Sequence, residues 1–434
     1  MQTRFTDAQL QDPGTRAAEA ILRKCVHCGF CAATCPTYAL LGDELDSPRG
    51  RIYLIKDMLE NGRAPTAGVV QHLDRCLSCL ACMTTCPSGV HYQHLMDHAR
   101  AHVERTWRRS ARERLLRGLL AHVLPYPRRL RVALTLAPLA RIGQRWLPAS
   151  LRSMLELSRG GAHAPPGRAA HPASVAAVPG TGTGTAMRGR VALLTGCAQG
   201  VLQPEAHAAT ERLLRRAGFE VVRVSGCCGA LVHHLGREAE SHGFAARLIE
   251  SLKALQAQAP LAAVVVNASG CGTQLKDYGF ILRADSRLAA DAAWVASLAR
   301  DVTEVLDGCL PPRVPGLSLP VVAYHSACSL QHGQKLDALP RRLLTEAGFT
   351  VRTPAEGHLC CGSAGTYNIL QPALARQLRE RKLGNLAATG AQVIASGNAG
   401  CTLQLRAGGA DVPVVHTVEL LDWACGGPDP QIVR

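Results

Sequence analysis

At 434 residues the chain is too long for one compact core, so two or three domains are expected. Hydrophobic residues make up 47 % and aromatics only 4 %, which excludes a disordered chain and predicts aliphatic cores of Leu, Val and Ala. The formal charge is +15 and there are eighteen cysteines; no run of about 18 apolar residues offers a transmembrane helix, and residues 1–20 are polar, without the apolar core of a signal peptide. The expected compartment is therefore the reducing cytoplasm, where clustered cysteines bind metal or do redox work.

Residues 1–24 read as a helix with Ala17, Ala20, Ile21 and Lys24 on one side. It runs into Cys25-x-x-Cys28-x-x-Cys31-x-x-x-Cys35-Pro36, and Cys76-x-x-Cys79-x-x-Cys82-x-x-x-Cys86-Pro87 repeats that phrase with identical spacing. This is the two-cluster pattern of bacterial ferredoxins, in which three thiolates of one loop and the Cys-Pro cysteine of the other hold each 4Fe-4S cluster. The expected ligand sets are Cys25, Cys28, Cys31 and Cys86 for one cluster, and Cys76, Cys79, Cys82 and Cys35 for the other. That crossover forces two centres close together, as an electron relay requires. Structural zinc is the bland alternative, but zinc sites pair two Cys-x-x-Cys knuckles and need no third thiol at the next step. A zinc-bound basic nucleic-acid module would also suit the charge; the shortage of aromatics for base stacking argues against it, so no nucleic-acid partner is expected.

Between the two phrases, Ser47-Pro48 reads as the capped start of a helix over 49–59, with Ile52, Ile55 and Leu59 at helical spacing. Residues 1–100 are thus expected to form a helical two-cluster domain. Residues 101–159 form an Arg-rich helical connector: 101–160 carry thirteen Arg, no Lys and three Glu (Glu104, Glu113, Glu156), with breaks expected at Pro125, Pro127, Pro138 and Pro148. Leu115, Leu116, Leu119, Leu120 and Val123 make an apolar stripe beneath Arg112, Arg114 and Arg117. Such a stripe suits an interfacial membrane helix or, more commonly, a helix packed against its own domain, and the arginine surface suits nucleic acid, an acidic lipid surface, an acidic protein partner or simply solvent. Residues 160–189 read as a flexible linker. The Gly-Thr run at 180–185 is not a phosphate loop, since no strand precedes it and no Lys-Ser/Thr follows.

From residue 190 short apolar strands (191–195, 219–224, 261–267) alternate with helices (204–217, 231–254), which implies a parallel sheet with helices on both faces. The order then returns. A strand at 321–324 precedes Cys328, Glu346-Ala-Gly348-Phe349 answers Arg216-Ala-Gly218-Phe219, and Cys360-Cys361-Gly362 answers Cys227-Cys228-Gly229. Ser396-Gly-Asn-Ala-Gly-Cys401 answers Asn267-Ala-Ser-Gly-Cys271. The fold class is therefore multidomain: an α-helical two-cluster ferredoxin-like domain followed by a duplicated α/β Cys-Cys-Gly domain, with repeats at 190–310 and 311–434. Each repeat brings four cysteines to the ends of its strands, Cys197, Cys227, Cys228 and Cys271, then Cys328, Cys360, Cys361 and Cys401, where open α/β sheets bind ligands. Either each copy holds a metal or further cluster, or the thiols line a redox cleft. Cys309 and Cys425 have no counterpart and are assigned to packing. His27, His325 and His358 stand near cysteines as hydrogen-bonding neighbours, because the thiols already complete a tetrahedral set. Arg49 and Arg51 are either positive charges beside a cluster or ordinary helix surface.

With these residues in view the chain resembles the iron-sulfur subunit of glycolate oxidase (glycolate dehydrogenase) over nearly its whole length. The telling segments are Cys25-Val-His-Cys-Gly-Phe-Cys-Ala-Ala-Thr-Cys-Pro36, Leu41-Gly-Asp-Glu-Leu-Asp-Ser-Pro-Arg-Gly-Arg-Ile52, Ala268-Ser-Gly-Cys-Gly272, Leu330-Gln-His-Gly-Gln-Lys335 and Cys360-Cys-Gly-Ser-Ala-Gly-Thr-Tyr367. The resemblance implies a hetero-oligomer in which FAD-binding subunits oxidise glycolate or D-lactate. Electrons would pass through two 4Fe-4S clusters here toward quinone or another membrane-side acceptor. The chain would be cytoplasmic and peripheral on the inner face of the membrane. It has no dinucleotide fingerprint, so it is expected to be the relay, with no catalytic residue of its own. The alternative is the equivalent relay of a lactate-utilisation or anaerobic glycerol-3-phosphate dehydrogenase complex. Two departures qualify the resemblance to the wider superfamily. Heterodisulfide reductase subunits carry a further Cys three residues after the last motif cysteine, where this chain has Gln274 and Gln404, so their non-cubane clusters are not carried over. Some relatives read His-Cys-Pro-Cys where this chain has His325-Ser-Ala-Cys328.

Overall fold

A computed structural model describes residues 1–160 and 187–430; most of the expected linker, residues 161–186, lies outside the described residues. The first helix runs only over Pro13–Lys24, shorter than the sequence reading. Asp12 caps it by accepting from the Thr15 backbone N–H at 2.6 Å, and Pro13 fixes its first turn, so the preceding residues cannot join it. The Met1 ammonium instead folds back and donates to the Cys25 carbonyl at 2.6 Å, which ties the N-terminus to the first cysteine loop.

Helix Pro48–Glu60 starts as its sequence requires, with Ser47 Oγ accepting from Gly50 N–H at 3.0 Å. Its Ile52, Ile55 and Leu59 pack with Leu22, Leu73, Leu95 and Met96 from helices Pro13–Lys24, Ala67–Asp74 and Tyr92–Thr106. Each such fully buried aliphatic side chain is worth about 1.5–3 kcal/mol, so four short helices gain a common core that holds the cysteine loops at one end.

The connector forms helices Ala111–Val123, Pro127–Ile142 and Ala149–Gly160. Pro138 does not break the second of these, because it sits at an exposed position where the lost hydrogen bond faces water. Of the expected apolar stripe, Leu120 is buried whereas Leu115 and Leu119 are exposed. Arg109 and Arg117 are buried against Asp74, at 2.6 and 3.1 Å, so part of the arginine excess is structural.

The C-terminal half holds two four-stranded parallel sheets. Strands β1 (Gly189–Leu194), β2 (Phe219–Val224), β3 (Ala263–Val266) and β4 (Ala299–Asp301) lie in the order β2-β1-β3-β4. Strands β5 (Val321–His325), β6 (Thr350–Arg352), β7 (Val393–Ser396) and β8 (Val414–His416) lie in the equivalent order β6-β5-β7-β8. The match in topology is the duplication seen in the sequence. One aliphatic core runs through both copies, with Val191, Leu193 and Leu213 of the first and Val322, Tyr324 and Leu343 of the second in a single buried cluster. At the same junction the His416 imidazole donates to the Asn267 carbonyl at 2.8 Å, and Arg212 and Arg216 pair with buried Asp422. Cys309 and Cys425 pack in or against this core and donate to the carbonyls of Val305 and Pro311.

Candidate metal centres and their neighbours

The two ferredoxin-type phrases fold into matching loops. His27 and Gly29 in the first, and Ser78 and Leu80 in the second, take left-handed backbone conformations at equivalent positions, with φ of 56°, 83°, 50° and 65°. Three of the four are not glycine. Such residues cost roughly 1–2 kcal/mol each and persist only where the surroundings fix them. Each loop continues into a short helix, Phe30–Ala33 or Ala81–Thr85.

Two adjoining cavities open between the loops. Cys25, Cys28, Cys31 and Cys86 line the first, and Cys35, Cys76 and Cys79 the second, with Cys82 on the wall they share. Each cavity therefore receives thiols of one loop and the Cys-Pro cysteine of the other. The thiols are spread too widely for zinc. A tetrahedral ion at about 2.3 Å from each sulfur holds them about 3.8 Å apart. Among the described residues, the groups of three donors within 4.8 Å of one another contain no thiol of these loops. A wide set of four thiols, fully buried in the second cavity and open to solvent at Cys28 in the first, suits a polynuclear cluster.

Positive charge is built in around them. Arg51 is 1 % exposed, pairs with Asp46 at 3.1 Å, donates to Thr37 Oγ1 at 3.0 Å and lies 3.9 Å from Cys35 Sγ. Arg49 donates to the His27 carbonyl at 3.4 Å, and its guanidinium fills the space a side chain at Gly29 would need. Arg51 is therefore a charge beside the thiols and not helix surface. Arg100 and Tyr92, which the sequence did not single out, complete the second loop. Arg100 donates to Ser78 Oγ at 2.6 Å and to the Cys76 carbonyl at 2.5 Å, and the Tyr92 hydroxyl lies 3.9 Å from Cys76 Sγ. Burial pushes the Cys79 and Cys82 thiols well above their ordinary value and Cys31 up to about 11, so these sulfurs need a cation to ionise.

In the repeats, Gly229 and Gly362 (φ 84° and 86°) turn the backbone so that their N–H groups donate to Cys227 and Cys360 Sγ, both at 3.4 Å. Cys197 and Cys227 pack among Ala121, Val232, Leu235 and Phe244, whereas Cys228 and Cys271 lie in the first sheet's own core. In the second copy Cys328 and Cys360 are 3.8 Å apart and share a buried cluster with Leu77, Cys79 and Ala81 of the second ferredoxin-type loop. The π-turn Ser329–Gly333 secures this contact: His332 Nδ1 lies 2.8 Å from Thr84 Oγ1, and its Nε2 lies 3.1 Å from the His358 carbonyl.

The histidines depart from the sequence reading. His27 packs against Tyr53 in a tilted ring contact, and neither of its ring nitrogens has a hydrogen-bond partner among the described residues; the same holds for both nitrogens of His325, which is 1 % exposed. Burial and then Lys382 push His325 down to about 3, so it stands as the neutral imidazole. Lys382 is itself 2 % exposed, and its ammonium donates to the Glu356 carbonyl at 2.8 Å. The sequence held a signal for it: Leu374, Leu378, Lys382 and Leu386 fall at four-residue steps, which places a lysine in an apolar helix stripe.

Comparison with known proteins agrees with this arrangement. Residues 21–90 match the 4Fe-4S dicluster domain, and residues 191–276 and 322–406 each match the Cysteine-rich domain. The chain is 27% identical over 241 residues to the Lactate utilization protein A of Exiguobacterium sp. (strain ATCC BAA-1283 / AT1b), covering 54% of this chain and 96% of that one. It is 32% identical to the "Probable glycolate oxidase iron-sulfur subunit" of Bacillus subtilis (strain 168), over 95% of this chain and 96% of that one. With the Glycolate oxidase iron-sulfur subunit of Escherichia coli (strain K12) the identity is 41%, over 98% and 99% of the two chains. The chain belongs to the family of glycolate oxidase iron-sulfur subunits.

Proposed function

We propose that this chain is the electron relay of a glycolate-oxidising complex, taking electrons from an FAD-binding subunit and passing them toward quinone or another membrane-side acceptor. The observation that carries the reading is the pair of adjoining cavities with crossed thiols. Cys25, Cys28, Cys31 and Cys86 would hold one 4Fe-4S cluster, and Cys76, Cys79, Cys82 and Cys35 the other. Each such cluster, when bound, supplies reversible one-electron storage at a potential set by its hydrogen bonds, charge and burial. The chain's residues do the rest. Arg51, Arg49 and Arg100 bring positive charge to the thiol loops, which favours the reduced state. Val26 and Phe30, 67 % and 61 % exposed beside exposed Cys28, form an apolar rim on which a partner's redox group can approach. The thiols of the Cys-Cys-Gly repeats are candidate ligands for further metal.

Peripheral attachment to the membrane has support in helix Pro127–Ile142. Its outward face carries exposed Val132, Leu136, Leu139 and Ile142, followed by Trp146, with Arg128, Arg129, Arg131 and Arg145 also exposed. An apolar stripe with a terminal Trp and flanking arginines matches an anionic lipid interface. No helix among the described residues is long and apolar enough to cross a membrane.

A lactate-oxidising complex is the second reading, favoured by the likeness to Lactate utilization protein A. The test is iron and sulfide per chain on anaerobically purified protein, then reduction of the chain by its co-purified flavin subunits with glycolate, D-lactate or glycerol 3-phosphate. About eight iron atoms and fastest reduction by glycolate are expected. Zinc without acid-labile sulfide would overturn the relay, and a preference for lactate would move it to the second reading.

A further inference from the structure

The two repeats are copies in sheet order and in thiol placement, yet the side chains around their thiols differ. Three residues before the first cysteine of each copy stands Leu194 in one and His325 in the other. Nineteen residues before the last cysteine stands Leu252 in one and Lys382 in the other. Leu194 and Leu252 are ordinary members of the first repeat's apolar core. His325 and Lys382 are polar groups placed where a core should have none, and both are almost fully buried.

His325 is the more telling. A buried imidazole without a partner has lost its water with nothing in return, and nothing among the described residues hydrogen-bonds to either of its nitrogens. Its ring lies with the sulfurs of Cys361 and Cys401 so that one nitrogen and two sulfurs are all within 4.8 Å of one another. That spread is close to what one tetrahedral ion demands. Among the described residues no comparable group of three forms around Cys197, Cys227, Cys228 and Cys271.

We propose that the second repeat holds a metal centre with Cys361, Cys401 and His325 as ligands, and that the first repeat holds none. The inference rests on the relay reading only for its purpose, since the ligands are independent of the ferredoxin-type loops. Two thiolates and an imidazole form a donor set for zinc or ferrous iron. On binding, Cys361 and Cys401 each release one proton to solvent, and the ion accepts one lone pair from each ligand. Cys328 and Cys360 stand beside the set on the side of Cys79. The centre therefore adjoins the second ferredoxin-type loop, while Cys197 and Cys227 of the first repeat pack with Ala121 of the connector.

Metal analysis of the anaerobically purified full chain tests this, with zinc and iron counted separately. About one metal per chain beyond the ferredoxin-type iron is expected in the native chain. His325→Leu, which installs the first repeat's residue, and Cys401→Ser should each lower that extra metal at least five-fold while the remaining iron and sulfide stay constant. Cys271→Ser should leave it unchanged. X-ray absorption at the edge of the bound metal should show imidazole scattering in the native chain; where the leucine variant does not accumulate, His325→Asn serves and should lose that signature. An extra metal retained in the His325 variants, an equal loss in Cys271→Ser, or no extra metal in the native chain would overturn the proposal. Absence of ferredoxin-type iron alongside an intact extra metal would instead sink the relay and leave this site standing.

Discussion

The two cysteine loops of the helical domain share a sequence phrase and a backbone, and they face opposite environments. The first ends in water: Cys28, Val26 and Phe30 are exposed, and Gly29 occupies its second left-handed position. The second is sealed, with Leu77, Cys79 and Ala81 buried beneath Cys360, Tyr367 and Leu374, and it places Leu80 where the first has Gly29. Leu80 accepts the backbone strain because its side chain packs on the π-turn of the second repeat beside Gly333. Local spacing therefore sets how a loop presents its thiols, and the tertiary neighbour sets which way it communicates. One loop faces solvent, and the other faces the rest of the chain.

The strongest test of that contrast is to disable each loop in turn. Cys79→Ser and Cys28→Ser should both abolish electron delivery to an acceptor while reduction of the partner flavin by substrate continues, as followed by flavin bleaching. Loss of flavin reduction as well would give the loops a structural role in the complex. Next in size is Arg51→Leu. It removes a charge from buried Asp46, which keeps Arg75 at 2.8 Å and His72 at 3.1 Å, and should cost about 3 kcal/mol in denaturant unfolding. The half-exposed Arg49→Leu should cost under about 1 kcal/mol.

A pH scan separates the loops from the framework that seals the inner one. Burial pushes His207 and His416, at the junction of the repeats, down to about 4. Unfolded histidine titrates near 6.5, so below that pH the unfolded chain binds protons that the folded chain refuses. Stability should hold above about pH 6.5, fall as pH drops toward 4 by up to about 3 kcal/mol per histidine, and level off below. Melting temperatures across that range check it, and His416→Gln should flatten the slope. The smallest effect is expected from Phe30→Ser. Stability should change by under about 0.5 kcal/mol, because the ring is already exposed, while co-purification with the flavin subunit weakens. Equal weakening from an exposed residue far from the outer loop, such as Leu139→Ser, would remove the outer loop's special status.

Much of this was legible in the chain because cysteine spacing and strand patterning are local. The strand expected at 219–224 is β2, and the expected cap at Ser47 holds the helix that follows. The short strands β4 and β8, three residues each, carried too little pattern to be seen. The first helix starts later than its pattern suggests because residues 1–11 contain no strong breaker and the only start signal is Asp12-Pro13 itself. What the sequence could not show is proximity across the chain. Cys79 meets Cys328 and Cys360 only through tertiary packing, and Arg100 reads as one more arginine in a basic helix until its contacts with Ser78 and Cys76 are known. The same holds for His325: the spacing suggests a complete set of four thiols, whereas in space Cys328 and Cys360 pack with the helical domain and the imidazole lies with Cys361 and Cys401 without a hydrogen-bond partner.

The common core of the repeats carries a consequence for their history. Duplication produces two equivalent strand edges, but a single helical domain can lay its sealed loop against only one of them. A framework with near two-fold symmetry thus meets a partner with none. From then on the copies answer to different requirements. One edge is free to drift toward a plain apolar interior, as Leu194 and Leu252 have it. The other keeps buried polar groups in place, as His325 and Lys382 do. Divergence between such copies is what geometry imposes when a symmetric pair serves an asymmetric neighbour.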